Sequence, residues 1–188
     1  FFREFRHMGR IIVKFGGTSV ADPARIEKAA DKVAAEIARG NQVGVVVSAM
    51  AGVTNQLVDY CSRIALHETT PEYDAVVASG EQVTTGLMAL ALQKRGLSAR
   101  SYMGWQIPII TDNLHGRARI DEIPPENLES SFKDGQIPVI AGFQGITRDH
   151  RISTLGRGGS DTTAVAIAAA LKADRCDIYT DVDGVYTS

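Results

Sequence analysis

The stretch VKFGGTSVADPARIEKAADKV, residues 13–33, decides the fold. It leaves a short β-branched run, RIIVKF, crosses a Gly-Gly pair set between a lysine and two hydroxyls, and enters a helix. Asp22 is placed to cap that helix, Pro23 suits its first position, and Gly40 suits its close after Arg39. Ile26, Ala29, Ala30, Val33 and Ile37 recur at three- and four-residue spacing and give it one apolar face. The next run, NQVGVVVSAM at 41–50, is almost continuously apolar, the pattern of a strand buried on both faces of a parallel sheet. Strand, crossover helix and strand form a βαβ unit.

The alternation continues down the chain. Residues 53–67 and 73–95 read as helices, ARSYMG and IPIIT as short strands, and QIPVIAGFQGIT as a strand running into a glycine turn. RISTL suits a hairpin arm, SDTTAVAIAAALKA a helix capped by Ser160 or Asp161, and CDIYTDV a final strand. DEIPPENLES, with its Pro-Pro pair, is a surface connection ahead of a short helix. This order predicts an α/β protein, a three-layer α/β/α sandwich on a mostly parallel sheet. Open sheets of that kind bind ligands beyond the carboxyl ends of their strands, which directs attention to the loops that follow each strand.

Composition narrows the ligand. With 188 residues, 44% apolar and 22% charged, the chain suits one globular unit. A net charge of -2 provides no general basic field for nucleic acid or an anionic membrane, so small molecules are the expected partners. Runs such as AVAIAAAL are far shorter than the ~20 residues of a membrane span. Cys61 and Cys176 follow no metal-ligand spacing and read as reduced thiols of a cytoplasmic protein. The opening FFREFRHM interleaves charge with aromatics, so residues 1–7 read as a leader and Met8 as the start of the functional unit, 8–188.

Four loops hold the unusual residues. In KFGGTS, residues 14–19, Gly16 and Gly17 allow close backbone approach, Lys14 supplies charge, and Thr18 and Ser19 add hydroxyls. Two readings stand: a phosphate cradle, or a lysine snorkelling from a strand end into a Gly-Gly turn. Neither GxxxxGK[ST] nor GxGxxG occurs, so a phosphate site here needs a fold other than the P-loop or dinucleotide-binding ones. SAMAGVTN, 48–55, offers Ser48 and Thr54 either to a ligand or, through Thr54, to a helix N-cap. In ASGEQVTTG, 78–86, Glu81 is either an ammonium ligand or a solvated helix charge. TLGRGGSDTTA, 154–164, sets three glycines around Arg157, more than a turn needs, and the arginine offers a fork for a carboxylate. Near the end, Asp181 and Asp183 bracket a strand end and Tyr186 could cover a base, although Asp-Gly there is also a simple turn signal.

Taken together, KFGGTSVAD, VVVSAMAGVTN, VASGEQV, AGFQGIT, STLGRGGSDTTA and IYTDVDGVYT resemble the aspartokinases of the amino-acid kinase family, over residues 9–188. The resemblance implies the amino-acid kinase, carbamate kinase-like fold. It also implies ATP- and Mg²⁺-dependent phosphorylation of the side-chain carboxylate of L-aspartate, the step that opens the route to lysine, threonine and methionine. By motif, Lys14, Phe15, Gly16 and Gly17 would hold phosphates with Ser19 beside them, and Thr180, Asp181 and Tyr186 would lie at the nucleoside. Ser48, Thr54, Glu81, Phe143, Arg157, Gly158, Gly159 and Ser160 would surround aspartate, with Lys14 and Asp161 as the catalytic pair. No protein ligand is assigned to the metal, which phosphate oxygens and water would hold. An ionised carboxylate needs no general base, so His67 and His115 read as surface or supporting groups. The family continues beyond DGVYTS, so the resemblance implies a catalytic domain truncated at its C-terminus, without regulatory domains. Its last strand would lack neighbours, its nucleotide affinity would be weakened and its feedback inhibition lost. It would form a homo-oligomer or associate with the missing region. The alternative is a non-catalytic fragment that binds nucleotide or amino acid; another acceptor, such as glutamate or carbamate, is a further rival.

Overall fold

Strand β1 (Arg10–Phe15) shows why its run is apolar on both faces between Arg10 and Lys14: successive side chains point to opposite faces, and each face meets a layer of helices. Ile11, Val13 and Phe15 pack with α1 (Pro23–Ala38), while Ile12 joins a second core on the other side. The computed structural model describes residues 9–65, 68–181 and 184–187, with side chains as far as Thr180. The leader with Met8, His67 and Asp183 lie outside the described residues.

β2 (Gln42–Val47) follows α1, then α2 (Val53–Ile64), α3 (Pro71–Val77), α4 (Ser79–Lys94) and β3 (Ala99–Tyr102). The short strands β4 (Ile110–Thr111) and β5 (Ile120–Glu122) precede α5 (Glu126–Lys133). β6 (Ile137–Ala141), β7 (Gln144–Thr147), β8 (Ile152–Thr154), α6 (Gly159–Ala170), β9 (Arg175–Asp181) and β10 (Gly184–Thr187) complete the order. The main sheet runs β10-β9-β1-β2-β6-β3, with parallel neighbours from β9 to β3. Helices α1 and α4 cover one face with Val33, Met88 and Leu92, and α5 and α6 cover the other with Leu128, Phe132 and Ile167. This is the expected three-layer, mostly parallel architecture.

Asp22 caps α1 as expected, accepting from Arg25 N at 2.8 Å, and Gly40 closes it with φ 91°. Other expectations are corrected. Thr54 is not a cap: the N-cap of α2 is Gly52, with φ 83°. The cap of α6 is likewise Gly158, φ 74°, rather than Ser160 or Asp161, which lie inside the helix. In both places the chain turns through a left-handed conformation that a hydroxyl or carboxyl cap residue adopts less readily than glycine. The last strand is β10, which pairs antiparallel with β9, so β9 has neighbours on both sides. A second sheet, β5-β4-β7-β8, forms beyond the main one where Gly142 and Phe143 break the expected single strand into β6 and β7. Helices α3 and α4 adjoin at Ala78 and make a 24-residue apolar span, Pro71–Lys94, long enough to cross a membrane by composition alone. Its apolar character has a local use, since Met88 and Leu92 pack on the sheet.

Candidate active site

Parallel pairing brings the carboxyl ends of four strands to one level. Phe15 pairs with Val47 and with Tyr179, and Val47 with Ala141, so the loops after β1, β2, β6 and β9 start together. They are joined backbone to backbone: Gly16 N donates to Tyr179 O at 3.1 Å, Ser48 N to Phe15 O at 3.1 Å, Ala51 N to Gly17 O at 3.2 Å, and Gly142 N to Val47 O at 3.0 Å.

Lys14 lies one residue before the end of β1, on the face opposite Val13 and Phe15, and therefore points toward α6. Its Nζ is 2.6 Å from Asp161 Oδ1 in the first turn of that helix. The lysine is buried and the carboxylate half-exposed, so the ammonium is held at the cleft by a partner that can exchange it for another anion. Two glycines permit this approach of helix to strand. A Cβ at Gly142 would lie 2.7 Å from Ser160 Oγ, and one at Gly159 would lie 2.8 Å from the ring of Phe143. Phe143 holds a left-handed φ of 72°, fixed by donation of its N–H to Thr163 Oγ1 and by its carbonyl accepting from Leu155 N.

Glu81 sits in the first turn of α4 and is 2% exposed, which excludes a solvated helix charge. Gly80 brings it there, because a Cβ at that position would lie 2.8 Å from Ala49 Cβ and push the 48–52 loop away. Glu81 Oε1 accepts from Ala49 N at 3.2 Å, while Oε2 is buried without a partner. Burial pushes its carboxyl up to about 7, against the smaller downward effect of backbone hydrogen bonds. Opposite in charge, Arg157 stands exposed on the loop between β8 and α6 and has no ion-pair partner among the described residues.

These groups line a cleft of about 720 Å³. The structure brings together Lys14, Gly17, Ser48, Thr54, Glu81, Phe143 and the run from Arg157 to Asp161. Gly16 lies behind the lysine, where a Cβ would be 3.4 Å from Nζ. Phe15 is different: its ring is buried in the core, stacked on Tyr179 at 4.9 Å between centroids. Ser19 is 0% exposed, with its hydroxyl unpartnered behind the glycine loop rather than on the cleft wall. Thr180 is exposed and outside the cleft, its carbonyl accepting from Thr18 Oγ1. The side chains of Asp181 and Tyr186 lie outside the described residues. Glu68, Tyr73 and Gly116 also line the cleft, and nothing in their local sequence marks them, since they arrive from the turn before α3, from α3 itself and from the loop before β5 only on folding. Of the two roles expected of His115, surface or supporting, it takes the supporting one: it is half-buried, with Nδ1 2.7 Å from Asp74 Oδ2. Among the described residues, no group of three His, Cys, Asp or Glu is arranged to hold a metal.

Comparison with known proteins gives a consistent picture. The amino acid kinase family matches residues 9–188. An aspartokinase of Rickettsia conorii is 55% identical over 184 residues, 96% of this chain and 46% of the relative. The chain thus spans less than half the length of the curated relatives it matches. Among solved structures, aspartate kinase from Synechocystis superposes with a TM-score of 0.77 at 46% identity, covering 91% of this chain and 28% of that one. Escherichia coli aspartokinase III, solved with aspartate and ADP, gives 0.78 at 30% identity, covering 91% of this chain and 49% of that one.

Proposed function

The chain belongs to the amino acid kinase family, and from that premise we propose that it phosphorylates the side-chain carboxylate of L-aspartate at the expense of ATP. The observation that carries this reading is the pairing of opposite poles in one cleft. Glu81, buried with an unpartnered oxygen, suits an α-ammonium, and the unpaired Arg157 suits an α-carboxylate. An amino acid held by both leaves its side chain free to face Lys14. The names of its relatives support aspartate and a nucleotide as the ligands. On the motif resemblance alone, the product, 4-phospho-L-aspartate, would feed lysine, threonine and methionine formation.

The chemistry asks little of acid–base groups. The acceptor carboxylate is ionised at neutral pH, so its oxygen can bond to the γ-phosphorus while the bond to the β–γ bridging oxygen breaks and the electron pair leaves with ADP. Rate then depends on alignment and on neutralising charge. Lys14 supplies positive charge beside the N-terminus of α6, which no side chain caps, and its partner Asp161 orients the ammonium in the resting site. Mg²⁺ fits as the companion of a polyphosphate rather than as a caged ion, because a polyphosphate-bound Mg²⁺ needs only one or two carboxylates and Asp161 is half-exposed at the cleft. When bound, it would further neutralise the phosphate oxygens.

Trapping of acyl phosphate with hydroxylamine tests the proposal. Aspartate, ATP and Mg²⁺ should give hydroxamate that glutamate and N-acetylglutamate do not, and Lys14→Ala should lower it by at least about 10²-fold. Product with another acceptor alone would overturn the choice of substrate. Binding of aspartate and nucleotide without product would assign this chain a binding role instead.

A further inference from the structure

Among the described residues of the cleft wall, only Phe143 combines a side chain beyond glycine's with a left-handed φ, 72°. It also touches both feet of the loop that carries Arg157. Leu155, two residues before the arginine, donates its N–H to Phe143 O at 2.8 Å. Gly159, two residues after it, lies against the ring: a Cβ there would be 2.8 Å from Phe143 Cδ2 and 3.0 Å from Leu155 Cβ. A third contact comes from α6, where the hydroxyl of Thr163, 0% exposed, accepts from Phe143 N at 3.1 Å and donates to Gly159 O at 2.9 Å. A hydroxyl has one proton to give and lone pairs to accept with, so this pair of bonds satisfies it without a competing arrangement.

We propose that Thr163 is a positioning residue for amino-acid binding: it holds Phe143 in its left-handed conformation and, through Phe143, sets the two feet of the Arg157 loop. A bulky residue at positive φ persists only where its surroundings over-determine it. Without the hydroxyl, Phe143 N–H loses its acceptor, the backbone is free to relax toward negative φ, and the ring leaves its seat on Gly159. Arg157 and Gly158 are themselves exposed, so the feet at Leu155 and Gly159, both buried, are where the fold limits the places that the guanidinium can reach. Placing those feet beforehand lowers the cost of ordering the arginine when a carboxylate binds. Lys14 reaches the cleft from β1 instead, which makes nucleotide affinity an internal reference.

This inference rests on the function proposed above, and the unaltered chain separates the two. Thr163→Val removes the hydroxyl at nearly constant shape, Thr163→Ser keeps it, and Phe143→Gly removes the ring together with the strain at positive φ. Calorimetric titration of the 188-residue chain should show Thr163→Val losing aspartate affinity about tenfold while ATP affinity stays within about twofold. Thr163→Ser should bind both as the unaltered chain does. Phe143→Gly should itself weaken aspartate binding with ATP affinity retained, and adding Thr163→Val to it should cost less than about twofold more, because the bond then has no strained residue to hold. A loss of the same size in both backgrounds would overturn the role, since Thr163 would then act otherwise than through Phe143. Unchanged aspartate affinity in either single variant would overturn it too, as would an equal loss of ATP affinity, which marks a general loss of structure. Failure of the unaltered chain to bind aspartate would instead overturn the function proposed above, and this inference with it.

Discussion

Glu81 shows how far a single side chain is shaped by its surroundings. In sequence it is a carboxylate after a glycine, open to reading as an ammonium ligand or a solvated helix charge; in the fold it is sealed from water with one oxygen unpartnered. Its folded pKa is raised from 4.5 to about 7, so the folded state holds a proton that the unfolded chain has released. Stability is therefore lost as pH rises from about 4.5 through 7, by about 3 kcal/mol, and is flat above. Urea unfolding at pH 5 and pH 8 should show this loss in the unaltered chain and its absence in Glu81→Gln. Aspartate affinity should run the opposite way, rising through pH 7, because an ammonium ligand favours the ionised form. Lys14 also had two local readings, a phosphate cradle or a lysine snorkelling from a strand end; alternation placed it on the face opposite Val13 and Phe15, and the fold decided that this face meets α6 and Asp161.

At the level of elements, the junction of β6 with α6 sets the geometry of the cleft. Gly142 allows the helix start to rest on the strand end, and its replacement by alanine would place Cβ 2.7 Å from Ser160 Oγ, 2.9 Å from Ser160 Cβ and 3.1 Å from Val47 O. Gly142→Ala should lower stability by about 1–3 kcal/mol, seen as an earlier denaturation midpoint, and should separate Lys14 from Asp161. The glycines around Arg157, Gly159 among them, were legible as glycines with a purpose, since no turn needs so many, whereas Gly142 read only as part of a glycine turn. Which neighbours they accommodate was not legible, because Ser160 and Val47 come from remote parts of the chain. The same holds for the second sheet: two- and three-residue strands such as β4 and β8 carry too few residues for an alternation pattern and are defined by their partners.

For the molecule as a whole, the sheet is the rigid member and both helical layers depend on it. Ile12 is fully buried between β1 and the α5–α6 layer, and Ile12→Ala should cost about 2–5 kcal/mol. Thermal unfolding should then fall by about 2–4 °C for each kcal/mol in a chain of this size. The loss should be cooperative, with nucleotide and amino-acid binding disappearing at the same midpoint, because the cleft is assembled from the ends of strands in one sheet.

Local pattern by itself determined the βαβ start, the mostly parallel sheet, the cap of α1 and the loops at which ligands would gather. These depend on near neighbours in the chain: the two-residue period of a strand, the three- to four-residue period of a helix, and the backbone demands of glycine. Tertiary structure alone decided that Glu81 is buried rather than solvated and that Phe15 and Ser19 turn inward. It also decided that Tyr73 and Gly116 join the cleft, and that Asp74 meets His115. Each of those outcomes depends on which segments distant in sequence come into contact, and on the exclusion of water that contact brings, neither of which a local pattern records.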